Sequence, residues 1–567
     1  MNDKADPDVA ERSNFLHDII SEDIKNGRFE RSFRTRFPPE PNGYLHIGHA
    51  KAICLDFDLA DEFAGTCNLR FDDTNPTTEN ETYVEGIIDD LKWLGYEAEN
   101  ICYTSDYFEQ LYAWAELLII DGLAYIDDQS SVEISEQRGG FGKPGVESPF
   151  RSRNDDENLD LFRQMRDGVF PEGHCVLRAR IDMQHDNMQM RDPVMYRIKH
   201  ASHYRTGDRW CIYPTYDWAH GQGDAIEGIT HSLCTLEFSN NRDLYNWFLE
   251  KLPLPNPAPY QTEFARLELT HTVTSKRKLR DLIDNGIVSS WDDPRLPTLR
   301  ALKKRGYPAS AVRSFCKDIG AARTNSRHAI ELLESYVRVN LNAVSQRRMA
   351  ILRPVKLIIT NWPNDENGHP IVEWREVTNN PENELDGVRL VPFSGTLYIE
   401  QDDFQVNPPP KFFRLTPGAE VRLRSGYFIT CNNFVENSSG ELQEIHCTYD
   451  PATAGGKAPD NRKVKATLHW VSADHAVTGS VSLYDRLFTA ELPGETTGDV
   501  MDDLNHQSVE TLTNCKFEPA LAETPTEVVV QFERLGYFSR DAGTPLLFHR
   551  TVGLRDEWAN IQKRTKK

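Results

Sequence analysis

Two histidines three residues apart, His46 and His49, lie in the run RFPPEPNGYLHIGHAKA (36–52). Here a strand-like segment gives way to apolar residues at helical spacing. That interval puts both imidazoles on one side of a helix start. A helix start carries unpaired N–H groups and the positive end of a dipole, so phosphates are favoured there. Gly48 lacks the side chain that would keep a flat ring off the backbone. A His-x-x-His pair alone more often marks surface or core histidines, so a nucleotide cradle needs support from elsewhere. TVTSKRKLRDL (272–282) offers it, with Ser275 and Lys276 at its centre. Phosphoryl and adenylyl chemistry gathers charge on oxygens that a positioned cation stabilises, and Lys276 is the candidate cation.

The elements that must hold these residues can be read around them. RSFRTRF (31–37) predicts a strand and PPEPNG breaks it. Ala50, Ile53, Cys54, Phe57 and Ala60 then recur as one helical face that Gly65 stops. CNLRF (67–71) alternates as a strand. Thr78 and Glu81 form a capping-box pattern for a helix bearing Val84, Ile87, Ile88, Leu91 and Leu94, closed by Gly95. A short strand from Ile101 to Thr104 leads to an apolar helix around Leu111 to Ile120. Such alternation predicts a parallel nucleotide-binding sheet, with a first half over 1–106. Residues 107–215 are irregular and rich in Arg, Asp and Gly, with a loop EQRGGFGKPG (136–145), and read as an inserted domain. Helical character resumes from Tyr216 to Trp247, so 216–268 read as the second half of a split sheet. Residues 269–345 carry the SKR loop and a helical connector. Strand-like runs with Gly, Pro and Asn turns fill 346–567, which read as two β-barrels, the distal one over about 405–475. The expected class is therefore multi-domain α/β plus all-β.

A chain of 567 residues, 39% hydrophobic and 27% charged, is too long for one core and too apolar for disorder. No run approaches the roughly eighteen apolar residues of a membrane span, and the start lacks a signal-peptide core, so the expectation is a cytoplasmic protein off the membrane. Ten cysteines without CxxC spacing read as reduced thiols, and no protein ligand set for a metal is visible. The net charge of −23 at first argues against a nucleic-acid partner. Phosphate affinity depends on local tracks, however, and SKRKLR (275–280), RRM with RPVK (347–356) and NRKVK (461–465) could supply them.

HIGH and SKR across a split sheet resemble the two signatures of class I aminoacyl-tRNA synthetases. Further segments extend the match: NLRFDDTNP, MRDPV, EGITHSLCTLEF, YDRLF, QFERLGYF and RTVGLRD. Together they resemble the glutaminyl-tRNA synthetases of the glutamyl/glutaminyl subgroup from about residue 15 to 560. The resemblance implies an enzyme that uses ATP to activate L-glutamine and esterifies it to the 2'-OH of the terminal adenosine of tRNA(Gln). It implies His46, His49 and Lys276 as catalytic residues. Glu40, Pro41, Asn42, Gly48, Arg266 and Ser275 would complete the ATP site, with Mg²⁺ arriving on the nucleotide rather than in a protein-bound site. Asp72 would hold the substrate ammonium, and Arg36 and Tyr216 would face the side-chain amide, with Cys234 and Gln261 at further pocket positions. Phe141 would wedge open the first acceptor-stem pair and Asn240 would read the stem. Arg347, Arg414, Gln531 and Arg534 would contact anticodon bases, and a monomer is the family expectation.

The chain departs from the family pattern at Thr274, where Met is usual, and at Asn240, where an acidic residue is common. Lys411-Phe412-Phe413 stands where Gln-Tyr-Lys is usual. The runner-up is a glutamyl-tRNA synthetase of the same subgroup. PEPNG in place of PEASG, Cys234 in place of an arginine, and neutral Gln261 argue against it, because a γ-carboxylate would lack its cation. A tRNA-independent nucleotidyltransferase shares the HxGH start but needs neither the insert nor the β-rich third. A non-catalytic RNA-binding paralogue would have little reason to keep His46, His49 and Lys276.

Overall fold

The computed structural model describes residues 14–140, 142–254 and 256–556. It divides into two compact units, Met1–Glu268 with Cys316–His328, and Leu269–Phe315 with Ala329–Lys567.

The first unit opens with α1 (Phe15–Lys25), whose cap Asn14 accepts from two backbone N–H groups. β1 (Arg34–Phe37), α2 (Ile47–Glu62), β2 (Thr66–Phe71), α3 (Glu81–Leu94) and β3 (Ile101–Tyr103) follow as the alternating series. β1 pairs parallel with β2, and β2 with β3. After the insert, α7 (Tyr216–Ile226), β8 (His231–Thr235), α8 (Arg242–Lys251) and β9 (Tyr260–Phe264) supply a second parallel pair. The halves meet at β1, where the Thr230 N–H donates to the Arg34 carbonyl at 2.9 Å. Five residues of β2 are buried in succession. This continuous burial is what a parallel strand covered on both faces requires.

Two boundaries differ from the sequence reading. α3 starts at Asn80, whose side chain accepts from the Tyr83 N–H, so the Thr78/Glu81 capping box does not form. Thr78 is spent in a turn on the Asn75 carbonyl, which leaves Asn80 as the residue in extended conformation at the helix entry. At the end of α2 the left-handed residue is Ala64, with φ of 49°. Gly65 serves close approach instead, because a Cβ there would sit 2.2 Å from the Phe33 carbonyl oxygen.

Between the halves, α4 (Phe108–Ile120), β4 (Ala124–Asp127), α5 (Ser131–Gln137), α6 (Asp155–Arg166), β5 (Val176–Ala179), β6 (Val194–Ile198) and β7 (Ile212–Pro214) build the inserted region. Its four strands form one antiparallel sheet in the order β4-β5-β6-β7. Three to five residues per strand are too few to show period-two alternation among the arginines and aspartates. Their inner faces nonetheless bury Ile126, Leu177, Met195 and Ile212 in the core that also holds Trp218 of α7 and Phe248 of α8.

In the second unit, α9 (Lys276–Asp284) and later helices including Leu299–Arg305 and Ile330–Val344 precede two seven-stranded sheets. One sheet has Thr467–Leu468 and Val471–Ser472 as its end strands, and the other has Arg347–Arg348 and Ala350–Ile351. In each case the two end strands are nearly consecutive in the chain. A sheet whose edges are joined by one or two residues must curl on itself, which gives two barrel-like sheets. One barrel packs Leu357, Phe393, Ile445 and Trp470, and the other Val481, Phe517, Phe532 and Phe548.

Candidate active site

The PPEPNG segment is fixed by backbone bonds. The Asp72 N–H donates to the Pro39 carbonyl at 3.1 Å, and the Asn80 N–H donates to the Pro41 carbonyl at 3.2 Å. Asn42 donates its side-chain amide to Glu40 at 2.5 Å. The loop therefore spans the C-terminal end of β2 and the start of α3, outside the carboxyl ends of the parallel strands where ligands bind in such sheets.

His46 caps α2. Its Nδ1 accepts from the Gly48 N–H, and the Nδ1 of His49 accepts from the His46 N–H, both at 3.1 Å. The two rings lie 3.8 Å apart between centroids. Acceptance at Nδ1 leaves the neutral ring's proton on Nε2 in both residues, the donor form that phosphate oxygens need. Gly48 has a role that the sequence did not suggest. A Cβ at that position would sit 2.9 Å from Cε1 of His46, so the glycine first makes room for the capping imidazole.

Behind this loop lies a buried charge network. Arg36 is fully buried. Its Nε donates to Asp224 at 2.9 Å, its Nη1 to the Leu233 carbonyl at 2.9 Å, and its Nη2 to His220 and Ser232 at 2.7 and 2.5 Å. Arg70 is equally buried and pairs with Asp72 at 3.0 Å, Asp224 at 2.8 Å and Glu227 at 3.3 Å. His220 joins the two arginine centres, with Nε2 toward Arg36 and Nδ1 3.3 Å from Asp72. Nδ1 also meets the Arg70 Nη2 at 3.1 Å, so each ring nitrogen faces a guanidinium donor. Burial, ahead of the charges around it, lowers the His220 pKa and keeps the ring neutral. Burial would raise the Asp72 carboxyl, but Arg70 and the His220 hydrogen bond outweigh it and hold the group below its usual range. Asp72 also receives the Thr104 hydroxyl at 3.0 Å.

The Tyr216 ring stacks on His220 at 4.7 Å and lies beside Phe238. Burial raises its phenol far above the usual value, so it stays a neutral donor and acceptor. Cys234 sits on β8, its thiol pushed up to about 12 by burial. Gln261 pairs in register with Ser232 and donates its amide to the Phe238 carbonyl and to Glu263 at 2.9 and 2.8 Å. Glu263 is in turn ion-paired with Arg242. The structure thus gathers Arg36, Asp72, Tyr216, Cys234 and Gln261 around one network. Arg70, His220, Asp224 and Glu227 were not read from the sequence. Their signal is weak but real. His220 and Asp224 on α7 and its C-cap Glu227 recur at i, i+4 and i+7, and Gly223 lets Arg70 approach to 3.0 Å of where its Cβ would be.

Other expected residues lie apart from this network. Arg266 is half-exposed and donates to Glu268 at 2.6 Å. Asn240 is exposed, and its carbonyl accepts from Asn187. Phe141 lies outside the described residues. In the second unit, Ser275 is the N-cap residue of α9 and Lys276 its first member, with no acidic residue in the first turn. A cation there opposes the helix dipole.

The four anticodon candidates fall into two clusters of the second unit. Arg347 pairs in register with Gln531 and donates to Asn342 and Asn380, while Gln531 donates to the Tyr537 hydroxyl at 2.9 Å. Arg534 forms a two-pronged pair with Asp403 at 2.6 and 2.7 Å, and Arg414 meets the same carboxylate at 3.5 Å. Phe413 is 53% exposed beside them, with the Lys465 ammonium 5.0 Å over its ring.

Residues 32–343 match the family model for class I tRNA synthetases (E and Q), catalytic domain. Residues 345–450 and 467–541 match the two anticodon-binding domain models of that class. A glutamine–tRNA ligase of Nitrobacter hamburgensis is 54% identical, covering 99% of both chains. One from Rhodopirellula baltica is 52% identical, covering 100% of this chain and 94% of its own, and one from Pseudomonas aeruginosa is 49% identical over 97% and 99%. With a split parallel sheet in one unit, two barrel-like sheets in the other and relatives matched end to end, the chain belongs to the class I tRNA synthetases of the glutamyl/glutaminyl (E and Q) subgroup.

Proposed function

We propose that the chain is a glutamine–tRNA ligase that joins glutamine to ATP as glutaminyl-adenylate, releases pyrophosphate, and passes the glutaminyl group to the 2'-OH of the terminal adenosine of tRNA(Gln), releasing AMP. The observation that carries this reading is the buried network that links Asp72 to Arg36 and Tyr216 through His220, with a neutral thiol at Cys234. Asp72 binds the substrate ammonium, and the Tyr216 phenol meets the amide, which needs both a donor and an acceptor. Full-length relatives that carry the glutamine–tRNA ligase name support the same substrate.

In the first step the α-carboxylate attacks the α-phosphate of ATP and pyrophosphate leaves. The Nε2–H groups of His46 and His49 donate to phosphate oxygens, and Glu40, Pro41, Asn42, Gly48, Arg266 and Ser275 contribute to nucleotide binding. Lys276 stabilises charge as the phosphorus becomes pentacoordinate, a role resting on the SKRKL signature and its helix-terminal position. Among the described residues, no group of three or more His, Cys, Asp or Glu is arranged to hold a metal ion. Magnesium would arrive on the nucleotide, where it would supply charge neutralisation on the leaving pyrophosphate. Asn240 and the loop around residue 141 face the acceptor stem, and Arg347, Arg414, Gln531 and Arg534 face splayed anticodon bases whose edges suit planar guanidinium and amide groups. Among the described residues no helix is long and apolar enough to cross a membrane. From the family membership we infer a monomer in the cytoplasm.

Pyrophosphate exchange into ATP, measured with purified protein, tests this reading. Exchange should require glutamine together with tRNA(Gln), because tRNA bound at the barrels converts affinity into alignment at the reacting atoms. Equal exchange with glutamate in place of glutamine would overturn the substrate assignment. Equal exchange without tRNA would remove the coupling alone.

A further inference from the structure

Asp73 follows Asp72 just past the end of β2. It is wholly buried, yet it bonds to a set of partners different from the arginine network. Its Oδ1 accepts from the Ser105 N–H at 2.8 Å, and its Oδ2 accepts from the Ser105 hydroxyl at 2.7 Å. These two bonds staple the strand end to the turn Thr104–Tyr107, whose Thr104 donates to Asp72. The remaining partners come from the inserted region, out of the connection between β6 and β7. Tyr204 donates its hydroxyl to Oδ2 of Asp73 at 3.1 Å, and Nε2 of His203 lies 3.0 Å from the Asp73 carbonyl. Arg205 donates to the Ser105 hydroxyl at 2.7 Å and to Asp106 at 2.9 Å, with its guanidinium 3.7 Å over the Tyr103 ring.

The connection is built to hold this shape. His203 and Gly207 exchange backbone hydrogen bonds at 3.0 and 2.8 Å. Nδ1 of His203 accepts from the N–H groups of Arg205 and Thr206 at 3.2 and 3.3 Å. With Nδ1 accepting, the neutral ring carries its proton on Nε2 and donates it to the Asp73 carbonyl. Donation from Arg205 into the Ser105 hydroxyl polarises that hydroxyl and strengthens its own bond to Asp73. Asp72 is thus flanked by Asp73 along the chain and by Thr104 across from it, and one loop of the insert pins both flanks.

We propose that Asp73 is a positioning residue, gripped by the His203–Gly207 loop of the insert, that sets Asp72 for the substrate ammonium. A binding carboxylate must be held within about 0.5 Å of its productive place, and residues behind it do the holding. The amino-acid site is then completed by the inserted region and not by the split sheet alone. The inference rests on the reading of Asp72 as the ammonium site and adds what keeps that carboxylate in place.

The experiment is aminoacylation of tRNA(Gln) by the full-length enzyme, with kcat and the KM values for glutamine, ATP and tRNA measured separately. Tyr204→Phe and Arg205→Gln each weaken the grip and leave Asp72 and its own partners untouched. Each should raise the KM for glutamine about three- to tenfold, and the double variant should raise it further. The KM values for ATP and tRNA should stay within about twofold. Arg205→Lys keeps a cation for the Tyr103 ring and should recover part of the loss. Arg209→Gln breaks an exposed pair with Glu109 in the same connection and should leave every constant unchanged. Arg205 is partly exposed, so it carries the test should Tyr204→Phe not fold. General damage to the insert would lower kcat and raise every KM together. A glutamine KM within about twofold of wild type in the folded double variant, or a rise that ATP and tRNA share equally, would overturn the proposal while leaving the glutamine assignment intact. A wild-type enzyme that charges no glutamine would overturn the assignment itself, and the proposal with it.

Discussion

Replacing Asp72 by asparagine changes one atom and should disturb three residues. Oδ1 accepts from Arg70 and Thr104, both at 3.0 Å, so in Asp72→Asn the carbonyl oxygen keeps that side. The new Nδ2 then faces Nδ1 of His220, where Arg70 also donates at 3.1 Å. The Nε2 side offers no relief, because Arg36 already donates there at 2.7 Å. One of the two nitrogens therefore loses a partner in a fully buried setting. Arg70 itself keeps Asp224 and Glu227, so no charge is orphaned and the fold should survive. Loss of a charge-assisted bond to the substrate ammonium costs about 1.5–3 kcal/mol, and an unpaired buried donor about 1–3 kcal/mol more. Together these predict a fall of about 10²–10⁴-fold in kcat/KM for glutamine, with the KM for ATP within about threefold of wild type. Steady-state aminoacylation with each substrate varied in turn measures both, and a melting curve checks the fold. A loss below tenfold in a folded variant would refute the ammonium role of Asp72.

Other expectations follow from the same geometry. Lys276→Ala should lower kcat by about 10²–10³-fold with little change in glutamine KM, as measured by single-turnover and steady-state charging, because its charge matters most in the transition state; an effect on KM alone would contradict that. Gly48→Ala should displace the His46 ring from its cap and cost about 1 kcal/mol of stability in denaturant titration, together with weaker ATP binding. Glu79 is buried and, chiefly through burial, its carboxyl is pushed up to about 9. The unfolded chain loses this proton near its ordinary value of 4.5 and the fold retains it, so stability falls as pH rises between about 4.5 and 9. Glu79→Gln should therefore raise the melting temperature at pH 8 more than at pH 5, and equal shifts at the two values would show that Glu79 is ionised in the fold. Gln531→Ala and Arg534→Ala should each raise the KM for tRNA by about tenfold or more without altering the KM for glutamine.

The helix starts at His46 and Lys276 were legible because their signals are local. HIGH begins a helix after a breaker, SKRKL concentrates charge, and apolar spacing gave the parallel β/α series with little error in its helices. The turn at Ala64 and the cap at Asn80 were misread, since both depend on which neighbour claims a given backbone group. The buried network was not legible. Arg70 and Asp224 are 154 positions apart, and a charged residue in a sequence gives no sign that it will be wholly buried unless its partner is known. The antiparallel sheet of the insert escaped for another reason. Strands of three to five residues lined by arginine–aspartate pairs such as Arg178 with Asp127 hide their apolar face from any periodicity test.

The central claim is that this site selects glutamine. Parallel charging of total tRNA with labelled glutamine and labelled glutamate tests it most directly. Glutamine should be esterified to a single isoacceptor group, with glutamate incorporation lower by at least about 10²-fold under equal concentrations. Equal or better incorporation of glutamate would contradict the account.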